Sequence, residues 1–312
     1  MPVYNAATFL VGSIESILKQ TYPNIELIII DDSSTDESFA IAKSFEGASV
    51  KVLKQKNAGA AVARNTGLGV ATGTYIQFLD VDDFLTIDKI EKQMAELAGR
   101  INVIAVCNYA SFINDDEIEG LKADDQSSFI YSSDCPSDFL INLLGGYGND
   151  SNFIQTNCWL TPRAIIDKSG FWRNYRCPDD DGEFFSRVIL NCEGIIYVPL
   201  ILNFYRRQNN DFKLSTNSTK KYVQNTLLTI DLKYQFLQLK HSSLALERAF
   251  AKQYLDYAIF NFPLYTIFSK ISLKRYIQFN QKVELPILGG KFIEFVKFIF
   301  GWRFVRLIKY YL

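Results

Sequence analysis

The segment Tyr75-Ile-Gln-Phe-Leu-Asp80-Val-Asp82-Asp83-Phe84 runs an apolar stretch straight into three carboxylates. In open α/β sheets ligands bind beyond the carboxyl ends of strands, so acids placed there face a crevice. Hard divalent cations such as Mg²⁺ or Mn²⁺ take oxygen ligands at such places and commonly hold substrate phosphates as well. The same acids suit the start of the helix expected over Thr86–Leu97, where Asp is preferred. A second apolar run ends in Ile30-Asp31-Asp32-Ser33-Ser34-Thr35-Asp36. A carboxylate there can accept from a nucleobase edge or a ribose, and two acceptor oxygens suit a uracil N–H; Ser33, Ser34 or Thr35 can equally cap a helix. Asn57-Ala-Gly59-Ala-Ala-Val-Ala-Arg64-Asn65-Thr-Gly67 adds a glycine-containing turn and one cation. Arg64 has the chemistry for a base or a phosphate, although an isolated Arg is more often a surface charge.

These residues need elements to position them. Leu10, Ile14, Ile17 and Leu18 recur at helical spacing over Phe9–Gln20, until Tyr22-Pro23-Asn24 breaks the pattern. Ile25–Ile30 is a β-branched run typical of a strand buried on both faces. Ser34–Phe45 reads as a helix, Val50–Leu53 as a strand, Ala60–Val70 as a helix and Tyr75–Leu79 as a strand. This alternation predicts an α/β fold with a mostly parallel sheet covered by helices. From about Asn102 the pattern loosens. Strands at Val103–Cys107 and Ile195–Val198 flank a polar loop, Asn114–Ser133, and a helix over Asp138–Leu144. Beyond Ser215 the chain reads as helices, including Lys221–Leu239 and Leu244–Phe262, which sets a boundary near residue 215.

Composition narrows the classes. With 48% hydrophobic and 21% charged residues the 312-residue chain can pack a core, and global disorder is excluded. A formal net charge of -1 argues against nucleic acid as a partner. The five cysteines are odd in number and lack CxxC spacing, so they read as reduced thiols of the cytosol. No basic segment followed by an apolar run opens the chain, and no uncharged apolar stretch of roughly 18 residues occurs. No GxGxxG follows a strand, which disfavours a nicotinamide enzyme.

Four patches, taken together, resemble the inverting family-2 glycosyltransferases of the GT-A fold. Pro2-Val3-Tyr4-Asn5 looks like the family's opening Pro-x-Tyr-Asn, and Ser16 to Asp36 is close to its SILxQTYPNxExIIVDDGSTD run. Asn57–Gly67 is similar to its NxGxxxARNxG turn, and Leu79–Asp83 to its metal-binding DxD. A fifth patch, Pro178-Asp-Asp180-Asp181-Gly182-Glu183-Phe-Phe-Ser-Arg187, resembles the family's ED-x-x-x-x-x-R segment.

The resemblance implies a GT-A catalytic unit over 1–215, with a nucleotide-binding half at 1–100 and an acceptor half at 101–215, followed by a helical region at 216–312. It implies transfer of a sugar from a nucleotide-diphosphate sugar, a UDP-sugar foremost, to an acceptor hydroxyl with inversion, in cell-surface polysaccharide or glycan synthesis. Asp181 falls on the catalytic base and Asp180 beside it, with Arg187 downstream. Asp82 would bind Mg²⁺ or Mn²⁺, and Asp80 the metal or the ribose. Asp32, with Asp31 beside it, would contact the base, with Pro2, Tyr4 and Asn5 near the nucleotide and Arg64 near base or phosphate. Asp83 would support the metal or orient the sugar. Tyr205-Arg206-Arg207 resembles the family's YR-x-H segment, but Gln208 stands where His is frequent, so Arg206 or Arg207 supplies the charge instead. His241, the chain's one histidine, falls in the helical region as a surface residue. A like-charged neighbour raises a carboxyl pKa, which suits a base working near neutrality. The acids at 180–181 are equally what a helix N-terminus prefers. Residues 108–175, with Gln155, Asn157 and Trp159, are expected to shape the acceptor pocket.

Family members usually place an apolar strand ahead of Pro-x-Tyr-Asn, which sets the expectation that the natural start lies upstream of Met1. At the other end, Lys291, Lys297, Arg303, Arg306 and Lys309 punctuate an apolar, Trp- and Phe-rich run with one acid, Glu294. A basic amphipathic helix of this kind suits the inner face of the cytoplasmic membrane, where lipid-linked acceptors reside. A helix pair packed on the catalytic unit, or a homodimer contact, fits the same pattern. Two rivals complete the field. An aspartyl-phosphate phosphatase normally needs Thr two residues after the second Asp, where this chain has Phe84; a non-catalytic nucleotide-sugar-binding module needs Asp32 and Asp82 but not Asp181.

Overall fold

The computed structural model describes residues 1–118, 120–122, 125–207 and 219–312. Gln208 and the boundary near residue 215 lie outside the described residues.

The N-terminal part follows the sequence pattern closely. β1 (Pro2–Val3), β2 (Leu27–Asp31) and β3 (Val50–Lys54) form an all-parallel sheet in that order. Every residue of β2 is buried, as a β-branched strand covered on both faces must be. Its cover is α1 (Ala7–Leu18), α2 (Ser38–Ser44) and α3 (Ala60–Val70). α3 packs on β2 with Gly67 over Ile30, where a Cβ would make an ordinary contact at 3.6 Å.

The second sheet holds β4 (Tyr75–Gln77), β5 (Phe84–Leu85), β6 (Val103–Phe112), β7 (Trp159–Pro162) and β8 (Gly194–Arg206), in the order β4-β7-β6-β8-β5. Only β6 and β8 pair in parallel there; the other three pairings are antiparallel. The expectation of a mostly parallel sheet therefore holds for the first sheet and not the second. The reason is local: β7 and β5 are short and carry no period long enough to read, yet each reverses the chain direction beside its neighbour. Helices α4 (Lys89–Leu97), α5 (Pro136–Leu143), α6 (Arg163–Ser169) and α7 (Asp180–Asn191) cover this sheet. A cavity of about 840 Å³, lined among others by Leu27, Ile28, Ala63, Ile76, Phe78 and Leu160, separates β2 from β4.

The C-terminal helices are α8 (Lys220–Gln238), α9 (Leu244–Phe260), α10 (Thr266–Gln278) and α11 (Lys291–Tyr311), the last broken at Gly301, where φ is 79°. Leu255, Ile259, Leu288 and Val305 make a small cluster among these helices, but α8 and α9 also join the main core. Val223, Leu227, Ile230 and Phe250 belong to the same apolar cluster as Phe139, Phe184 and Val188.

Candidate functional site

Three chain segments converge around Arg64. Its Nη2 lies 2.6 Å from Asp80 Oδ1, at the turn after β4. The charges of Asp180 and Asp181, in the first turn of α7, also reach it. Its guanidinium stacks on Trp172, 4.5 Å from the ring centroid. The Arg64 side chain is 8% exposed, so its charge is desolvated and the surrounding carboxylates are strongly felt. Its Nε is buried without a partner among the described residues.

Trp172 is itself fixed from several sides. Asn65 donates from Nδ2 to the Trp172 carbonyl at 2.7 Å and accepts the Trp172 N–H at 2.9 Å. The indole stacks on Phe184 of α7 at 4.1 Å and meets Phe78 edge-on at 5.2 Å. Arg187 holds the stretch just before it, donating to the carbonyls of Ser169, Gly170 and Phe171. Nε and Nη2 of Arg187 also pair with the buried Glu183, each at 2.9 Å. Breaking a buried pair of this kind typically costs about 3–5 kcal/mol. The Arg downstream of Asp181 is thus a scaffold for the loop that carries Trp172.

The acids at the start of α7 are set apart electrostatically. Burial, then the charges of Asp180 and Asp179, push Asp181 up to about 7. Burial pushes Asp180 up to about 6, against the pull of Arg64. A helix N-terminus normally favours carboxylate charge, so burial and like-charge repulsion win here. Asp179 is held outside this pair by Lys233 at 2.6 Å and Thr229 at 3.2 Å. Gly182 leaves room for this carboxylate, since a Cβ there would stand 2.1 Å from Asp179 Oδ1.

The acids after β4 divide by direction. Asp80 is 36% exposed, and Asp82 is partly exposed. Asp83 is buried, accepting from Asn157 Nδ2 at 2.6 Å and from the Arg206 N–H at 2.8 Å. Burial, then the charges of Asp82 and Asp80, hold its pKa well above the usual carboxylate range. Asp83 therefore braces the turn from inside, its two oxygens engaged by Asn157 and Arg206. Arg206 also turns inward. It donates to the carbonyls of Asp82 and Ile113, pairs with Asp115 and stacks on Phe9 and Phe112. With its arms so engaged it shapes the acidic turn, which differs from the expectation that it offers charge to a diphosphate. Arg207, next to it, is exposed.

Asp31 and Asp32 are buried as well. Asp32 accepts from Gln55 Nε2 and from the N–H groups of Ala58 and Gly59, all within 2.9 Å. It anchors the turn in which Gly59 adopts a φ of 93°, a region that favours glycine. Asp31 accepts from the Ser34 N–H at 3.2 Å and lies 3.7 Å from Lys54. Asn5 ties the end of β1 to the same region through Thr35, at 2.8 Å. Pro2 pairs with Ile30 in the sheet, while Tyr4 is 52% exposed and faces outward. His241, partly buried, lies 3.7 Å from Asp138, far along the chain from the acids.

Sequence reasoning missed the part played by Trp172, Asn157 and Lys233. Trp172 sits in an aperiodic stretch between α6 and α7, where spacing carries no signal. Asn157 was grouped with the acceptor pocket but serves Asp83. Among the described residues no group of three or more His, Cys, Asp or Glu side chains stands ready to hold a metal ion. A Mg²⁺ or Mn²⁺ site built from one or two carboxylates plus substrate phosphates does not require one.

Comparison with known proteins gives a consistent picture. Residues 1–165 match the model of glycosyl transferase family 2. Glycosyltransferase GlyA of Streptococcus pneumoniae is 41% identical over 243 residues, covering 72% of this chain and 32% of that protein. Glycosyltransferase GlyG of the same organism is 32% identical over 219 residues, covering 67% of this chain and 70% of that one. The chain thus spans about a third of GlyA and over two thirds of GlyG. The Escherichia coli protein WfgD, a UDP-Glc:alpha-D-GlcNAc-diphosphoundecaprenol beta-1,3-glucosyltransferase, is 40% identical over 121 residues, covering 38% of this chain and 47% of that one. Among solved structures, S. aureus TarS 1–349 in complex with UDP superposes with a TM-score of 0.62 at 15% identity, covering 93% of each chain. At that identity the likeness shows the shared GT-A fold.

Proposed function

The chain belongs to glycosyl transferase family 2, and from that premise we propose that it moves a sugar from a UDP-sugar to an acceptor hydroxyl with inversion at the anomeric carbon. The observation that carries this reading is the sharing of Arg64 between Asp80, after β4, and Asp180 and Asp181, at the start of α7. Acids from the two halves of the chain meet at one cation.

Asp181 acts as the base. With its pKa near 7, it is ionised in a useful fraction at neutral pH and still basic enough to take the acceptor's proton as that oxygen attacks. Asp180 keeps it raised, and Arg64 keeps both from being neutralised altogether. Asp82 and Asp80 would hold Mg²⁺ or Mn²⁺, since they offer hard oxygen donors at a partly exposed turn; when bound, the cation neutralises charge on the departing diphosphate. Asp83, Asn157 and Arg206 keep that turn in place from behind. Tyr4 lies outward beside the β1–β2 end, where a nucleotide would pack. The base contact of Asp31 and Asp32 operates through the turn they anchor, because their oxygens are already engaged.

The acceptor is a glycan or lipid-linked saccharide of cell-surface polysaccharide synthesis, met at the inner face of the cytoplasmic membrane, with residues 291–312 making the peripheral contact. The named activity of WfgD toward a diphosphoundecaprenol-linked sugar supports that class of acceptor. A non-catalytic binding module has no use for two neighbouring carboxyls raised to about 6 and about 7.

The test is hydrolysis of a panel of UDP-sugars with and without Mn²⁺. The proposal expects metal-dependent release of UDP that Asp82→Ala abolishes. Release that is indifferent to both metal and Asp82 would remove the donor assignment.

A further inference from the structure

Among the described residues no helix is long and apolar enough to cross a membrane; a contact these residues make with lipid is made by a surface. The sequence pattern assigns that contact to the basic residues of 291–312, but the structure uses most of them elsewhere. Lys297 donates to the Pro286 carbonyl at 2.8 Å and pairs with Glu294. Arg306 donates to the carbonyls of Phe262 and Phe260, at 3.1 and 2.6 Å. Lys309 donates to the Leu288 carbonyl. These three cations fasten α11 to the loops beneath it.

Arg303 is exposed, packed on the Trp302 ring. It lines a cavity of about 270 Å³ between α10 and α11, together with Lys270, Thr266, Ser269, Phe262 and Leu273. Two cations line this cavity, and its lining contains no acid. Around it the surface is apolar and exposed. Ile267 and Ile271 flank Lys270 on α10, while Phe300 and Phe304 flank Arg303 and meet each other tilted, 5.0 Å between ring centres. Farther along α11, Phe298 is 88% and Phe295 60% exposed. Glu294, the one acid of α11, is turned inward to the N–H groups of Leu288 and Gly289.

We propose that this face docks on an anionic lipid bilayer, with a lipid phosphate seated between Lys270 and Arg303 and the surrounding Phe and Ile side chains entering the interfacial layer. Aromatic side chains favour that layer, and an anionic leaflet attracts basic residues held near it. Charge selects the occupant. A second copy bound through the same patch by two-fold symmetry would set cations against cations, whereas an anionic leaflet neutralises them. The inference deepens the acceptor reading above, but it rests on the tail rather than on the acids. Vesicle binding can therefore fail while donor cleavage stands, and the reverse.

The experiment is co-sedimentation of the full chain with phosphatidylcholine vesicles and with vesicles containing phosphatidylglycerol. Preferred binding to the anionic vesicles is expected. Lys270→Gln with Arg303→Gln should weaken it roughly thirty-fold, at about 1 kcal/mol per basic residue near the surface, with UDP-sugar hydrolysis unchanged. Phe300→Ser with Phe304→Ser should weaken binding to both kinds of vesicle, with circular dichroism confirming that the variants are folded. Equal binding to both vesicles by the unaltered chain would overturn the proposal. So would a dimer in solution that the Phe300→Ser, Phe304→Ser variant dissociates, or competition by inorganic phosphate without vesicle binding.

Discussion

Arg64 lies 4.5 Å over the centre of the Trp172 ring while its Nη2 reaches Asp80 at 2.6 Å. One aromatic face thus carries the cation that the acids of both halves share. Among the described residues the Trp172 indole N–H has no hydrogen-bond partner; the ring acts through Arg64, as a positioning residue. Trp172→Ala should cost about 3–5 kcal/mol of stability, as large-to-small core changes do, and should also free Arg64. Arg64 lowers the pKa of Asp181 against burial, so its departure lets that pKa rise and moves the acid limb of the rate profile to higher pH. Trp172→Phe keeps an aromatic face and should restore most of the limb. A limb that stays put in a folded Trp172→Ala protein would show that the indole is packing alone.

Gly182→Ala places a Cβ 2.1 Å from Asp179 Oδ1, so that carboxylate must shift while its other oxygen is held by Lys233. The expected loss is about 1–3 kcal/mol, the usual cost of overpacking. It should be read as a lower denaturant midpoint. In a double-mutant cycle with Asp179→Ala the two losses should be far from additive, because both act on the same carboxylate.

The acid at position 181 should be a liability for stability at neutral and higher pH. Its folded pKa of about 7 lies above the ordinary Asp value of about 3.9. Folding therefore favours the protonated form. The resulting stability is present below the unfolded pKa and is lost as pH rises through the folded one. Asp181→Asn should then raise the melting temperature at about pH 8, by a few degrees, and change it little at about pH 4. Thermal scans of both proteins at the two pH values check this; equal melting temperatures at the higher pH would count against a half-buried, repelled carboxyl.

Much of the fold is written in short-range pattern. Ala60–Val70 occupies the same bounds in sequence and structure, because its ends are fixed by Gly59 and by the loss of helical spacing after Val70. The buried run to Ile30 and the turn after β4 were likewise legible, since strands buried on both faces are nearly continuous in apolar residues. The second sheet was less so. β8 extends to Arg206, well past the expected end at Val198, because Pro199 interrupts the pattern there while pairing with β6 resumes after a register shift. The direction of side chains was least legible. Asp80 and Asp83 look equivalent in sequence, yet one is paired with Arg64 at the cleft and the other buried against Asn157. Nothing local distinguishes them, since the distinction is made by β7 and β8, which arrive more than 70 residues later.

The most direct test of the account is the pH dependence of kcat/KM for sugar transfer, measured for the natural chain and for Asp181→Asn between about pH 5 and 9. The account predicts an acid limb near the pKa of about 7 that burial and Asp180 impose on Asp181. In the variant that limb disappears and the rate drops by about 10²–10⁴-fold, with metal-dependent donor binding retained. An Asp181→Asn protein that transfers sugar at the natural rate, with the same limb, would contradict it.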